Sequence, residues 1–271
     1  ESRAAARQDR NMIGVCHGDK LYPCIRKWEG FFCAVFSALE GGLFSATSPC
    51  MKQVLIIGAS GGVGAALAAA YEGRGDTVTG LSRSLDGFDI TDERSVDQHL
   101  TALNGPFDVV LVATGALEIA GAAPEKTIKS ISQKAMLDQF ALNAGGPALV
   151  LRHASDLLRR GAPCVFAVFS ARVGSIGDNR IGGWISYRSA KAAVNQIVHT
   201  AAIELTRSHK NSICVALHPG TVKTAFTAKY LARHPAVAPS EAAENLLAVI
   251  DGLTPADTGQ FFDWAGKPVP W

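Results

Sequence analysis

No stretch of this chain of 271 residues gathers a run of like charges, and its formal net charge is only +2. Nucleic acids and acidic membrane surfaces are met by clustered Lys and Arg, so neither is an expected partner. Six cysteines (Cys16, Cys24, Cys33, Cys50, Cys164, Cys214) lack paired zinc-ligand spacing and are too sparse for a disulfide scaffold. Cys164 and Cys214 fall inside apolar runs and read as small buried hydrophobes. That usage suits a reducing, cytoplasmic compartment. Internal repeats and low-complexity tracts are absent as well. With 48% hydrophobic residues, the chain can bury an ample core.

The first fifty residues show neither helical nor strand period. Their longest apolar run, Phe31 to Leu39, is too short to span a bilayer. The order of charge and apolarity fits a secretory signal poorly, and Glu1, Asp9, Asp19, Glu29 and Glu40 speak against a transit peptide. Met51 stands immediately before the first strong strand signal. The expectation is that Met51 is the natural start, with 1–50 a non-native or poorly ordered extension and 51–271 the folded domain.

What is plentiful is glycine at one place. Gln53 to Ile57 is an unbroken apolar run suited to a strand buried on both faces. Gly58-Ala59-Ser60-Gly61-Gly62-Val63-Gly64 follows, and then an alanine-rich helix. Glycines there allow the reversal and let a ligand approach the backbone, while the helix start offers free N–H groups to a phosphate. A ligand-free strand-to-helix turn is the plainer alternative. The second strand, Thr77 to Ser82, ends at Arg83. In a dinucleotide fold a carboxylate there would meet the adenosine 2′-hydroxyl, whereas Arg accommodates a 2′-phosphate. Arg83, helped by the Ser82 hydroxyl, therefore predicts NADP ahead of NAD, against the alternative of an ordinary solvated Arg.

Phe88-Asp89-Ile90 reads as a short third strand, with Asp89 reaching an adenine edge or capping its own loop. Thr91-Asp92-Glu93 starts a helix. Phe107 to Ala113 is the fourth strand and runs into Thr114-Gly115-Ala116. Ile131 to Arg160 reads as one long helix broken at Gly145-Gly146-Pro147, just after Asn143, because Pro147 cannot donate the usual bond. Cys164 to Phe169 is the fifth strand, and a glycine-rich loop runs from Ser170 to Ser186. A long amphipathic helix follows, begun by Tyr187 and Lys191. Ile213 to Leu217, the helix Ser240 to Asp251 and a last strand at Gln260 to Asp263 complete the alternation. The pattern predicts a single doubly wound Rossmann domain, with about seven mostly parallel strands and helices on both faces.

Tyr187 and Lys191 lie one helical turn apart and project from one face. A nearby ammonium favours a phenolate, so such a pair can exchange a proton with a carbonyl or alcohol oxygen near neutral pH. A surface tyrosine packed on a lysine stem is the bland reading. His153 and His199 have no second ligand at metal spacing, and no metal is expected. Trp184 walls a cleft or fills the core.

The glycine loop, Asn143, Tyr187-Arg188-Ser189-Ala190-Lys191 and Pro219-Gly220-Thr221-Val222-Lys223-Thr224 together resemble the short-chain dehydrogenase/reductase family, in its order and approximate spacing. The resemblance covers Met51 to about Trp271. Ser170 to Asn179, Gly182-Gly183-Trp184, Phe261 to Trp264 and Trp271 look most like its C-factor branch. It implies a hydride exchange between nicotinamide and a carbonyl or alcohol, with Tyr187 as acid-base and Lys191 lowering its pKa and holding the ribose. Asn143 would steady a relay water. Gly58, Gly62 and Gly64 would line the pyrophosphate and Asp89 the adenine, with Ser60, Gly61, Val63 and Ile90 also among the cofactor-binding residues. Thr114, Gly115 and Ala116 would border the adenosine side, and Pro219, Gly220 and Thr221 the nicotinamide, with Thr224 near its carboxamide or the phosphates; Ala113 and Val222 would also contact the cofactor. A homodimer or homotetramer paired through the Tyr187 helix is implied, with Ala225 to Pro239 over the cleft. One departure is plain: Ala171 fills the place of the family's substrate-orienting serine. Ser175 or Ser170 is expected to substitute, Ser175 slightly ahead. The C-factor likeness and Ala171 together leave open a cofactor-binding signalling protein with weak or no catalysis.

Overall fold

A computed structural model describes residues 51–229 and 235–271. The expectation for 1–50 falls outside the described residues. Six strands form one parallel sheet: β1 (Gln53–Ile57), β2 (Thr77–Leu81), β3 (Val109–Val112), β4 (Cys164–Phe169), β5 (Ser212–His218) and β6 (Phe261–Asp263), in the order β2-β1-β3-β4-β5-β6. The central strands are apolar throughout because each covers two faces. Leu55, Ile57, Val110, Val112, Phe166, Val168, Cys214 and Ala216 point to one layer, which includes α3 (Glu93–Thr101), α5 (Gly146–Leu151) and α7 (Ile185–Ser208). Val54, Ile56, Val109, Leu111, Val165, Ala167, Ile213 and Val215 point to the other, packed on α1 (Gly62–Gly73) and α8 (Pro239–Gly252). Alternation along each strand thus fills two cores.

The chain leaves β1 for β2 on one side, then returns to β3 on the other. Such a reversal opens a crevice at the carboxyl ends of the strands, where loops from both halves converge. The glycine loop, Thr114, Ser170 and His218 all lie at that edge.

Two expectations require correction. Phe88-Asp89-Ile90 is not a strand, so the sheet has six rather than about seven. Phe88 N bonds back to Ser82 O at 3.2 Å and Asp92 N to Asp89 O at 3.2 Å, folding the backbone into turns while Phe88 and Ile90 pack inward. Asp92 caps α3, its side chain accepting from Arg94 N. The stretch Ile131 to Arg160 is not one broken helix but α4 (Gln133–Phe140), a π-helical turn Ala141–Gly145, α5, and α6 (Ala154–Leu157). Its break is a widening: Gly146 N reaches Ala141 O, five residues back, immediately before Pro147. A π-turn of this kind bulges the helix and re-aims its side chains. Asn143 sits on it, fully buried.

Candidate active site

The glycine loop is shaped by close approach. A Cβ on Gly64 would lie 2.2 Å from Gly58 O, so only glycine lets α1 start against the strand end. A Cβ on Gly62 would lie 2.5 Å from Thr224 Cγ2, which brings Thr224 over the helix start. Ser60, Gly61 and Gly62 are exposed, and the first-turn N–H groups of α1 have no partner within the helix. Val63 is half-buried beside them.

Just past β2, Arg83 is exposed and opens the short helix α2 (Arg83–Asp86). Ser82 does not reach outward as expected: it is 3% exposed, and its hydroxyl donates to Asp86 Oδ2 at 3.0 Å and accepts from Leu85 N. Capping α2 uses it up. The hydroxyl beside Arg83 is instead Ser84, which donates to Ser60 Oγ at 2.9 Å. Asp89 Oδ1 accepts from Thr91 N at 2.9 Å and Thr91 Oγ1 at 2.7 Å. Those bonds, with Arg83 nearby, hold its carboxyl below the usual carboxylate range. Ile90 is buried behind it.

Beyond β3, Ala113 and Thr114 are half-buried and Gly115 is exposed. Thr114 Oγ1 is buried without a hydrogen-bond partner just beyond the end of β3. Asn143 holds the next residue by both ends of its amide: Oδ1 accepts from Ala116 N at 3.2 Å, and Nδ2 donates to Ala116 O at 3.0 Å and to Gln139 Oε1 at 2.7 Å. A Cβ on Gly115 would meet Asn143 Oδ1 at 2.8 Å and Lys191 Nζ at 3.4 Å. The structure therefore draws Gly115, Asn143 and Lys191 together.

Tyr187 and Lys191 both face inward from the first turns of α7, at 6% and 3% exposure. Lys191 Nζ donates to Phe169 O at 2.8 Å and lies 5.9 Å from the Tyr187 ring centroid. Burial pushes the Lys191 ammonium down to about 7. Burial also pushes the Tyr187 phenol above its ordinary value, so in this chain desolvation outweighs the lowering expected from Lys191. A half-discharged amine has less charge to lend.

Ala171 is half-buried and extended, at the start of a 3₁₀ turn Arg172–Gly174. Ser170 is turned to α7, donating to Asn195 Oδ1. Ser175 is 1% exposed, with its Oγ accepting from Asp178 N at 3.1 Å. On the far side of the crevice, Pro219, Gly220 and Thr221 are half-buried, and Thr221 O accepts from Val237 N at 3.0 Å. Val222 is 3% exposed and forms a bridge with Val237. Trp184 and Phe226 both lie against the Tyr187 ring, at centroid distances of 6.5 and 6.4 Å. Residues 230–234 of the expected cover lie outside the described residues.

Four residues went unnoticed in the sequence. Ser84 was next to Arg83 and legible as a second hydroxyl. Gln139, Glu125 and Arg188 act through partners far away in the chain or on backbone carbonyls, and no local pattern announces them. Among the described residues, no group of three or more His, Cys, Asp or Glu could hold a metal ion. His199 Nδ1 instead lies 2.9 Å from Gly259 O, and His153 Nε2 lies 2.8 Å from Asp97 Oδ1. No described helix is long and apolar enough to cross a membrane.

The parallel sheet thus carries a glycine cradle at its switch point, with a buried phenol and amine at the same carboxyl edge. Comparison makes the class specific. A family model described as enoyl-(acyl carrier protein) reductase matches residues 63–259. The chain is 31% identical over 234 residues, 82% of its length and all of the relative's, to 1-hydroxy-2-glutathionyl-2-methyl-3-butene dehydrogenase of Rhodococcus sp. (strain AD45). It is 33% identical to the C-signal of Myxococcus xanthus over 168 residues, 62% of this chain and 94% of that one. The carbonyl reductase Sniffer of D. melanogaster shares the fold, with a TM-score of 0.71 at 20% identity over 82% of this chain and 100% of the other. The chain belongs to the short-chain dehydrogenase/reductase family and is an NAD(P)-dependent oxidoreductase of it.

Proposed function

We propose that the protein is an NADP-dependent reductase or dehydrogenase of a carbonyl/alcohol pair, with Tyr187 as its acid-base residue. The observation that carries the reading is the convergence of Tyr187, Lys191, Asn143 and Gly115 at the crevice edge opposite the glycine cradle. The residues present fit the cofactor: exposed glycines at a helix start suit a pyrophosphate, and Arg83 with Ser84 and Ser60 suits a 2′-phosphate. When bound, the nicotinamide supplies or accepts the hydride.

The chain's own residues handle the proton. Tyr187 Oη, kept neutral by burial, donates to a carbonyl oxygen as that oxygen gains negative charge. Lys191, titrating near 7, is the neighbouring source of positive charge and the hydroxyl-binding amine for a ribose. Asn143 fixes the Ala116 backbone and the π-turn beside Lys191, where a relay water would sit. Ser170 is committed to Asn195. Ser175 keeps its own proton uncommitted and is assigned to the substrate oxygen, less well placed than a hydroxyl at position 171 would be.

Exposed Met136, Leu137 and Phe140 on α4 and Ile203 on α7 support a homodimer or homotetramer. A cytoplasmic location is part of the same reading. The test is to mix purified protein with NADPH and a panel of aldehydes and ketones and follow the nicotinamide absorbance. Tyr187→Phe is expected to lower turnover by about 10²–10⁴-fold while NADPH still binds. A second reading, a cofactor-binding signalling protein with little catalysis, is favoured by Ala171 and by the C-signal relative. NADPH binding without turnover of any carbonyl would select it.

A further inference from the structure

Among the buried groups that this chemistry leaves unused, Glu125 is the most committed. It is 6% exposed, in the segment between β3 and α4. Its carboxylate accepts from Ser186 N at 3.3 Å and from the Ser186 hydroxyl, 61 positions away in sequence. Its carbonyl accepts from Trp184 N at 2.5 Å. These partners lie within three residues of Tyr187 and place the whole start of α7 under one residue's control.

The start of α7 needs such a partner. Ser186 N belongs to the first turn and has no acceptor within the helix. The usual remedy is a side-chain oxygen at the preceding position, but Trp184 occupies it and has none. Trp184 is also left-handed, at φ 53, the third such residue in succession after Gly182 at φ 70 and Gly183 at φ 67. A bulky side chain persists in that conformation only where its surroundings over-determine it. They do so from two sides. Arg188 donates to Gly183 O at 3.0 Å, Gly182 O at 3.3 Å and Val173 O at 3.1 Å, and Glu125 closes the turn from the other. A cavity of about 10 Å³, bordered by Glu125, Gln139, Ser186 and Tyr187, leaves room for about one water. The assembly has little slack.

We propose that Glu125 is a positioning residue: it fixes the first turn of α7 and the left-handed turn before it, and so holds the Tyr187 phenol and the Trp184 indole in register for the reaction. The claim rests on the reading of Tyr187 as acid-base. In this role Glu125 acts through Ser186 and Trp184. It supplies a long-range cap whose negative charge also suits the positive end of α7. A misplaced donor costs rate steeply, because proton transfer depends on alignment.

The test compares Glu125→Ala, Glu125→Gln and Ser186→Ala with the wild type in two measurements. Amide hydrogen exchange across residues 184–188 is expected to quicken about tenfold or more in Glu125→Ala, with β4 and β5 unchanged, and to be largely restored in Glu125→Gln, which keeps an acceptor. In steady-state reduction, kcat is expected to fall about tenfold or more in Glu125→Ala, with KM for NADPH within about twofold. Exchange that stays unchanged at 184–188, or rises evenly over the sheet, overturns the positioning role. So does a kcat that survives the loss of the cap. Should Glu125→Ala not fold, Ser186→Ala carries the comparison: quickened exchange confined to 184–188 supports the proposal, and unchanged exchange there overturns it. A wild type that reduces no carbonyl sinks the functional reading, whereas unchanged exchange sinks Glu125 whatever the activity.

Discussion

The two sides of the crevice are built from different materials. The glycine-loop side is backbone: Gly58 to Gly64 is contiguous, partly exposed, and shaped by the absence of side chains. The Tyr187 side is a buried assembly of side chains from segments remote in sequence, in which Glu125, Arg188, Asn143 and Gln139 each make bonds that fix a neighbour. A backbone cradle tolerates no added atom, because carbonyls cannot step aside. A side-chain assembly can relax, and its failures should be graded and chemical rather than structural.

Gly64→Ala gives the sharpest break. Its Cβ would lie 2.2 Å from Gly58 O, so strand and helix must separate. Stability is expected to fall by about 1–3 kcal/mol or more in chemical denaturation, and dinucleotide binding with it. Wild-type stability in this variant would show that the cradle is not tightly closed.

Arg83→Ala probes the exposed end of the same side. A charge-assisted bond to phosphate is worth about 1.5–3 kcal/mol, so affinity for NADPH should drop about ten- to a hundredfold with NADH little changed. Equal losses for both dinucleotides in a titration would remove Arg83 from 2′-phosphate recognition.

On the other side, Ala171→Ser adds a hydroxyl where both nearby serines are buried and Ser170 is bonded away. Single-turnover reduction is expected to speed up by about tenfold, below the full value of a donor that stabilises developing charge. No gain would mean that Ser175 already fills the role.

Lys191→Met should change the pH profile of stability. The folded Lys191 titrates near 7, well below its ordinary value, so between that pH and about 10 the unfolded chain holds more protons at this group. Its contribution therefore makes wild-type stability rise with pH across that window, and the variant lacks that rise. Denaturation midpoints at pH 7 and 9 give the comparison. A wild type whose stability climbs no more than the variant's would place Lys191 in contact with water.

Most of the sheet was readable because buried parallel strands are continuous apolar runs. Phe88 to Ile90 misled for the same reason: two apolar residues around Asp89 look like a strand, yet they are turn residues pointing into a core. The π-turn at Ala141–Gly145 was half legible, since Pro147 announced a break without saying that the turn would widen. The Ser82 hydroxyl turns inward because Asp86, four residues on in the short helix α2, accepts it, a partner that no local pattern announces.

By itself the sequence determined the alternation of strands and helices, the glycine cradle, and the pairing of Tyr187 with Lys191, since each depends on neighbours a few residues apart. Only the tertiary structure decided how acidic those groups are and what holds them, because desolvation and long-range hydrogen bonds arise when distant segments share one interior. Burial turned the expected charged pair into a neutral phenol beside a partly discharged amine, and Glu125 became visible only with Ser186 beside it.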